Sequence, residues 1–90
     1  MPRYLVEREF GDGLGVSIDK AGAEACRRII ETNAEFGVTW IQSYVTHDRK
    51  RTFCIYDAPS PEAIRRAAHF NDLPVTQIAE VRVLDPYFYF

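Results

Sequence analysis

Three side chains of different chemistry recur at strand spacing in this chain: Glu7, Tyr44 and Cys54. A carboxylate, a phenol and a thiol together suit a borderline divalent transition ion, the thiolate being the soft donor and the carboxylate the hard one. Trp40 and Gln42 precede Tyr44 at intervals of two, and Tyr56 follows Cys54 at the same interval. On strands these residues would share a face with the three donors and form the pocket around them. One Cys and one Glu are too few to complete a coordination shell. Water or a second copy of the chain must supply the rest.

The other reactive residue types point elsewhere. His47 falls in a turn and His69 near the end of a helical segment, so both read as solvent-facing. Cys26 lies on an apolar helical stripe and reads as core, where free cysteines commonly sit. Gly11-Asp12-Gly13-Leu14-Gly15 lacks the spacing of a dinucleotide fingerprint and is followed by no Gly-Lys-Ser/Thr, so it reads as a flexible connection. Ser17 and Lys20 match a Ser-x-x-Lys spacing, but nothing else of that catalytic set is present. No Ser/His/Asp arrangement and no isolated carboxylate pair stands out. The residues read as binding groups rather than catalytic ones.

The elements that must position these residues follow from pattern and punctuation. Tyr4 to Phe10 mixes β-formers with charge and stops at glycine, as a strand does. Ala23 to Phe36 carries Cys26, Ile29, Ile30 and Asn33 at helical spacing, and Gly37 supplies the stop. Val38 to Val45 and Arg51 to Tyr56 read as a strand pair joined through His47-Asp48-Arg49-Lys50. Ser60, Pro61 and Glu62 open a second helix with a cap, a first-position proline and a favourable charge. Ile64, Ala67 and Ala68 form its buried stripe. Gln77 to Leu84 reads as a fourth strand, broken by Asp85-Pro86.

The order is β-α-β-β-α-β. This predicts a ferredoxin-like α+β fold, with an antiparallel sheet in spatial order 4-1-3-2 and both helices on one face. The expectation is a single domain over 1–90, with 84–90 as an aromatic C-terminal extension. Tyr87-Phe88-Tyr89-Phe90 would not normally be left in water, so a short extra strand is predicted there. Giving the more apolar alternation to the helices places Tyr4, Val6, Ile41, Val45, Phe53, Ile55, Val81 and Val83 beneath them. Leu5, Glu7, Trp40, Gln42, Tyr44, Thr52, Cys54, Tyr56, Glu80 and Arg82 then occupy the open face.

Charge and composition narrow the partners. Eleven Lys and Arg against thirteen Asp and Glu give a net charge of −2, with both signs mixed along the chain. Such a surface does not coat nucleic acid, which requires clustered positive charge. No run approaches the roughly 20 apolar residues that span a bilayer. Met1-Pro2-Arg3-Tyr4 lacks an apolar signal region, and two cysteines make no disulfide framework, so the cytoplasm is expected. A small domain gains from an interface, and a homodimer is the natural supplement.

Two longer segments carry a family resemblance. Residues 37–45 (Gly-Val-Thr-Trp-Ile-Gln-Ser-Tyr-Val) and 52–64 (Thr-Phe-Cys-Ile-Tyr-Asp-Ala-Pro-Ser-Pro-Glu-Ala-Ile) resemble the family termed domain of unknown function 4242. Tyr4 to Arg8 and Leu73-Pro74 agree with it. The resemblance implies a small dimeric ferredoxin-like protein with an additional C-terminal strand. It also implies nickel, bound by at least one such protein. The combined expectation is a divalent-metal-binding protein with Glu7, Tyr44 and Cys54 as ligands and Trp40, Gln42 and Tyr56 around them. The site would lie on the sheet face or at a dimer interface. The rival expectation is a dimeric α+β barrel enclosing an apolar pocket between two sheets, lined by Trp40, Tyr44 and Tyr56, that binds or transforms a small molecule.

Overall fold

In a computed structural model, which describes residues 1–15 and 19–89, alternating apolar and charged residues build the central strand β1 (Arg3–Glu9). Helix α1 (Lys20–Glu35) begins where the Asp19 carboxylate accepts the Gly22 amide at 3.0 Å, satisfying one of the donors a helix start leaves unpaired. It ends at Gly37, whose φ of 71° is the left-handed conformation that terminates helices without steric cost. Strands β2 (Thr39–Val45) and β3 (Arg51–Asp57) form the hairpin. Helix α2 (Pro61–Phe70) starts as the sequence indicates: Ser60 Oγ accepts the Ala63 amide at 3.3 Å, and Pro61 sits in the first turn. The edge strand β4 (Gln77–Val81) completes an antiparallel sheet ordered β2-β3-β1-β4.

This is the predicted topology. The core lies between the sheet and the helices, where Val6 and Ile64 are fully buried beside Tyr4, Val38, Cys54, Tyr56, Ala58 and Ala67. Burying a side chain of this size contributes about 1.5–3 kcal/mol. Asn71 donates to Asn33 Oδ1 at 3.2 Å, tying the two helix ends together.

Several boundaries and faces depart from expectation. Strand β4 stops at Val81, and Val83 and Leu84 are exposed. Among the described residues no extra strand follows. Residues Pro86–Tyr89 form a 3-10 turn, entered where Asp85 Oδ1 accepts the Tyr87 amide at 3.0 Å. An aspartate side chain accepting from the backbone two residues on favours a turn over an extended segment. Phe90 lies outside the described residues, as do Ser17 and Ile18 of the Ser-x-x-Lys match. In α1, Cys26 and Ile29 are half-buried and Ile30 is exposed, so the stripe is tilted from its predicted centre toward Gly22 and Asn33. Among the described residues no helix is long and apolar enough to cross a membrane.

Candidate functional site

Register decides which side chains meet. Residues paired across antiparallel strands point to the same side. Val6 pairs with Cys54 and Cys54 with Ser43; Tyr4 pairs with Tyr56 and Tyr56 with Trp40. These rows lie under the helices. Glu7 pairs with Phe53 and Phe53 with Tyr44, and this row lies on the open face with Leu5, Ile55 and Gln42. Cys54 and Glu7 are therefore on opposite sides of the sheet.

The predicted grouping of Glu7, Tyr44 and Cys54 is corrected on this point. Cys54 is buried, with its thiol 3.7 Å from the Thr52 hydroxyl, while Glu7 and Tyr44 share the open face without it. Phe53 stands between Glu7 and Tyr44, whose backbones are two strand spacings apart, roughly 10 Å. Among the described residues no three His, Cys, Asp or Glu side chains converge as a metal cluster. Gln42 does join Tyr44, donating from Nε2 to its phenol oxygen at 2.6 Å. His47 and His69 are both exposed.

Trp40 and Tyr56 are likewise corrected from the open to the covered face. The cause in β2 is a bulge. Trp40 pairs with Tyr56, but the next pair is Gln42 with Ile55, so Ile41 is an extra residue that resets the alternation. Trp40 then faces inward, its indole nitrogen donating to Ser43 Oγ at 2.7 Å, and Gln42 and Tyr44 face outward. In β3 the apolar residues Phe53 and Ile55 take the open face, while Thr52, Cys54 and Tyr56 are buried. The pocket does not join Trp40, Tyr44 and Tyr56, because Tyr44 lies on the other side.

Beneath α1 the covered face is not filled. A cavity of about 210 Å³ lies between the helix and the sheet, lined by Arg8, Cys26, Ile29, Trp40, Cys54 and Tyr56 among others. Its wall is almost wholly apolar, and the Arg8 guanidinium is sealed beside it rather than open to it. Arg8 is 3% exposed and carries its guanidinium inside the protein. Nη1 donates to the Pro74 carbonyl at 2.6 Å, Nη2 donates to the Tyr56 phenol oxygen at 3.2 Å, and Nε is buried with no partner. The guanidinium carbon also lies 5.9 Å from the Tyr56 ring centre. Burial pushes the Tyr56 phenol up to about 12, only partly offset by the Arg8 charge, so the hydroxyl keeps its proton at neutral pH.

Arg8 is the residue that the sequence reading missed. It continues the Tyr4, Val6 alternation by one further step, so the inward parity already assigned to those two places it inside. Its charge diverts attention from that parity, because arginine is rarely fully buried without a partner.

Comparison with known proteins follows this geometry. The profile of a family described as nickel responsive protein SCO4226-like matches residues 4–81. A similar solved structure is the crystal structure of SCO4226 from Streptomyces coelicolor A3(2), at 16% identity and a TM-score of 0.70. The alignment covers 92% of this chain and 99% of that one, and at this identity it shows a common fold. No curated protein matches.

Proposed function

The chain belongs to the SCO4226-like family of nickel-responsive proteins, and from that premise we propose that it binds a divalent transition metal, nickel(II), through the open face of its sheet. Family membership is the observation that carries the reading. The narrower resemblance to domain of unknown function 4242 and a cytoplasmic location are part of the same proposal.

Within one chain the open face offers Glu7, a carboxylate outside the Arg3–Asp57 and Arg51–Glu9 ion pairs, with Tyr44 and the Gln42 amide two strands away on β2. That set is too sparse for an ion that takes four to six ligands. Two chains packed face to face would double it to two carboxylates, two phenols and two amides, with water completing the shell. The proposed metal site is therefore shared in a homodimer. Leu5, Ile41 and Ile55 would supply apolar contact around it, and Ile41 is 42% exposed in the isolated chain. Cys54 is not a ligand in this arrangement, because the sheet separates it from Glu7.

Calorimetric titration of metal-free protein with nickel, run beside sedimentation, tests the proposal. The expected result is one ion per two chains. Glu7→Gln should weaken binding roughly tenfold or more, the scale on which loss of an ionised ligand is felt, and Cys54→Ser should leave it unchanged. Unaltered nickel binding by Glu7→Gln, or its loss in Cys54→Ser, would remove the open face as the site.

A further inference from the structure

Helix α1 does not close on the sheet along its whole length. Cys26 and Ile29 are only half-buried, and the cavity of about 210 Å³ beneath them has Trp40, Cys54 and Tyr56 as its floor. A free cysteine packs as a small hydrophobe, so both thiols extend the apolar wall. The polar groups that border the space are engaged with one another. Trp40 Nε1 donates to Ser43 Oγ at 2.7 Å, the Cys54 thiol lies 3.7 Å from the Thr52 hydroxyl, and Arg8 donates to the Pro74 carbonyl and the Tyr56 phenol oxygen. Arg8 Nε has no partner, but it is sealed from the cavity. An ordered water needs about two to four polar partners, and this wall presents almost none. Water is a poor occupant here.

We propose that this cavity binds a small neutral molecule with the bulk of a single ring and no hydrogen-bonding group, a monocyclic hydrocarbon in the simplest case. Polarity sets the class. A charged ligand would leave its ion in a chamber where no donor or acceptor faces it, and even one hydroxyl would give up water for no partner. A hydrocarbon loses nothing on entry, and it gains the dispersion contacts that an unfilled cavity forgoes. Size sets the bulk. The cavity of about 210 Å³ exceeds the roughly 150 Å³ of an apolar cavity that accepts benzene, and falls below the roughly 300 Å³ at which drug-sized sites begin. Trp40 and Tyr56 favour an aromatic ring, which packs against theirs in offset or edge-on geometry. Phe10, Leu14 and Val45, partly or largely exposed, form an apolar rim. The site lies on the covered side of the sheet, so it is independent of the metal proposed for the open face.

The test uses the full chain with toluene as probe, phenol as a polar analogue of nearly the same size and benzoate as the charged one. Trp40, the sole tryptophan, reports from the cavity wall by fluorescence and by the nitrogen-15 resonance of its indole N–H. Toluene should shift both signals saturably. Phenol should bind roughly tenfold more weakly or worse, and benzoate should produce no saturable change. Cys26→Phe should fill the cavity and abolish toluene binding, whereas Cys26→Ala, which keeps the wall apolar, should retain it. Because an added ring can disturb packing, Ile29→Phe supplies a second blocking variant from the next turn of α1. The comparison of toluene with phenol needs no variant at all. Phenol binding as tightly as toluene, saturable binding of benzoate, loss of toluene binding in Cys26→Ala, or toluene binding that survives in a folded blocking variant would each overturn the assignment. So would the absence of saturable toluene binding, which would show that the protein fills the cavity itself.

Discussion

The two faces of the sheet invert the usual division of labour. The covered face carries a charge, a thiol, two phenols and hydroxyls beside its aliphatic residues, while the open face presents Leu5, Ile41, Phe53 and Ile55 among its charges. A covered face normally holds the apolar set and an open one the polar set. An apolar open face signals that something packs on it, and a polar interior signals that a group inside has a use or an exact partner. The metal proposal concerns the open face.

The largest expected effect separates the faces by stability. Ile64, 1% exposed in the core, should cost about 2–5 kcal/mol on Ile64→Ala through lost transfer energy and the cavity left behind. Tyr44, 59% exposed, should cost no more than about 0.5 kcal/mol on Tyr44→Ala in dilute protein. Chemical denaturation at two protein concentrations measures both. A Tyr44→Ala cost that grows with concentration would show that a second copy covers the open face and would sharpen the case for a shared metal site.

The next effect probes the covered face. The Tyr56 phenol is raised to about 12 by burial, against an ordinary value of 10.0 in the unfolded chain. An acid whose folded value is raised contributes stability in full below its unfolded value, and that contribution disappears as pH rises to the folded value. Stability should therefore fall between about pH 10 and 12, by up to about 3 kcal/mol for this residue. The Tyr4 phenol is also raised, first by burial and then by Glu80 and Glu62, and adds in the same direction. Tyr56→Phe should flatten the alkaline loss. At neutral pH it should cost about 1–3 kcal/mol, because it removes the oxygen that accepts from Arg8 Nη2 and leaves that donor buried without a partner. An unchanged alkaline limb in Tyr56→Phe would mean that the phenol is solvated.

How much of this could be read in advance depends on the range over which each signal acts. Ser60-Pro61-Glu62 fixes the start of α2 locally, and Gly37 fixes the end of α1, so the β-α-β-β-α-β order and the strand order follow from short-range patterns. Face assignment depends on register between strands, which no single strand contains. Ile41 is read as an ordinary alternating residue until the pairing shows it to be extra, and one extra residue moves Trp40 to the other side of the sheet relative to Gln42. Phe53 and Ile55 mislead differently. Their hydrophobicity argues for the helix side, yet the pairing of Cys54 with Val6 leaves them on the open face. For the candidate site this matters most: residue types were legible, but which of them share a cavity was not. Arg8 is the exception, since parity with Tyr4 and Val6 was sufficient to place it inside.

The smallest effect tests the open face where it needs no partner. Arg3 and Asp57 are opposite each other across β1 and β3, with Nε to Oδ1 at 2.9 Å and Nη2 to Oδ2 at 3.3 Å. The geometry is two-pronged, which orients both side chains, but both are partly exposed and the pair sits in reach of solvent. Donation from Arg3 holds the Asp57 carboxyl below the usual aspartate range, and Arg3 is correspondingly raised by its bond to Asp57. A carboxyl with a lowered folded value contributes in full above its unfolded value and loses that contribution as pH falls through the folded one. The pair should therefore support stability at neutral pH and cease to do so progressively below about pH 4. Asp48 adds to the same acid limb, its carboxylate accepting the Lys50 amide and the Thr46 hydroxyl in the hairpin turn. Asp57→Asn should shift the acid midpoint only slightly and lower neutral-pH stability little, because exposed pairs are weak. Added salt should shrink the wild-type advantage further, since solvent-exposed charges are screened. If the advantage of Asp57 instead persisted in high salt and grew with protein concentration, the pair would be buried under a second copy, and the open face would no longer be open in solution.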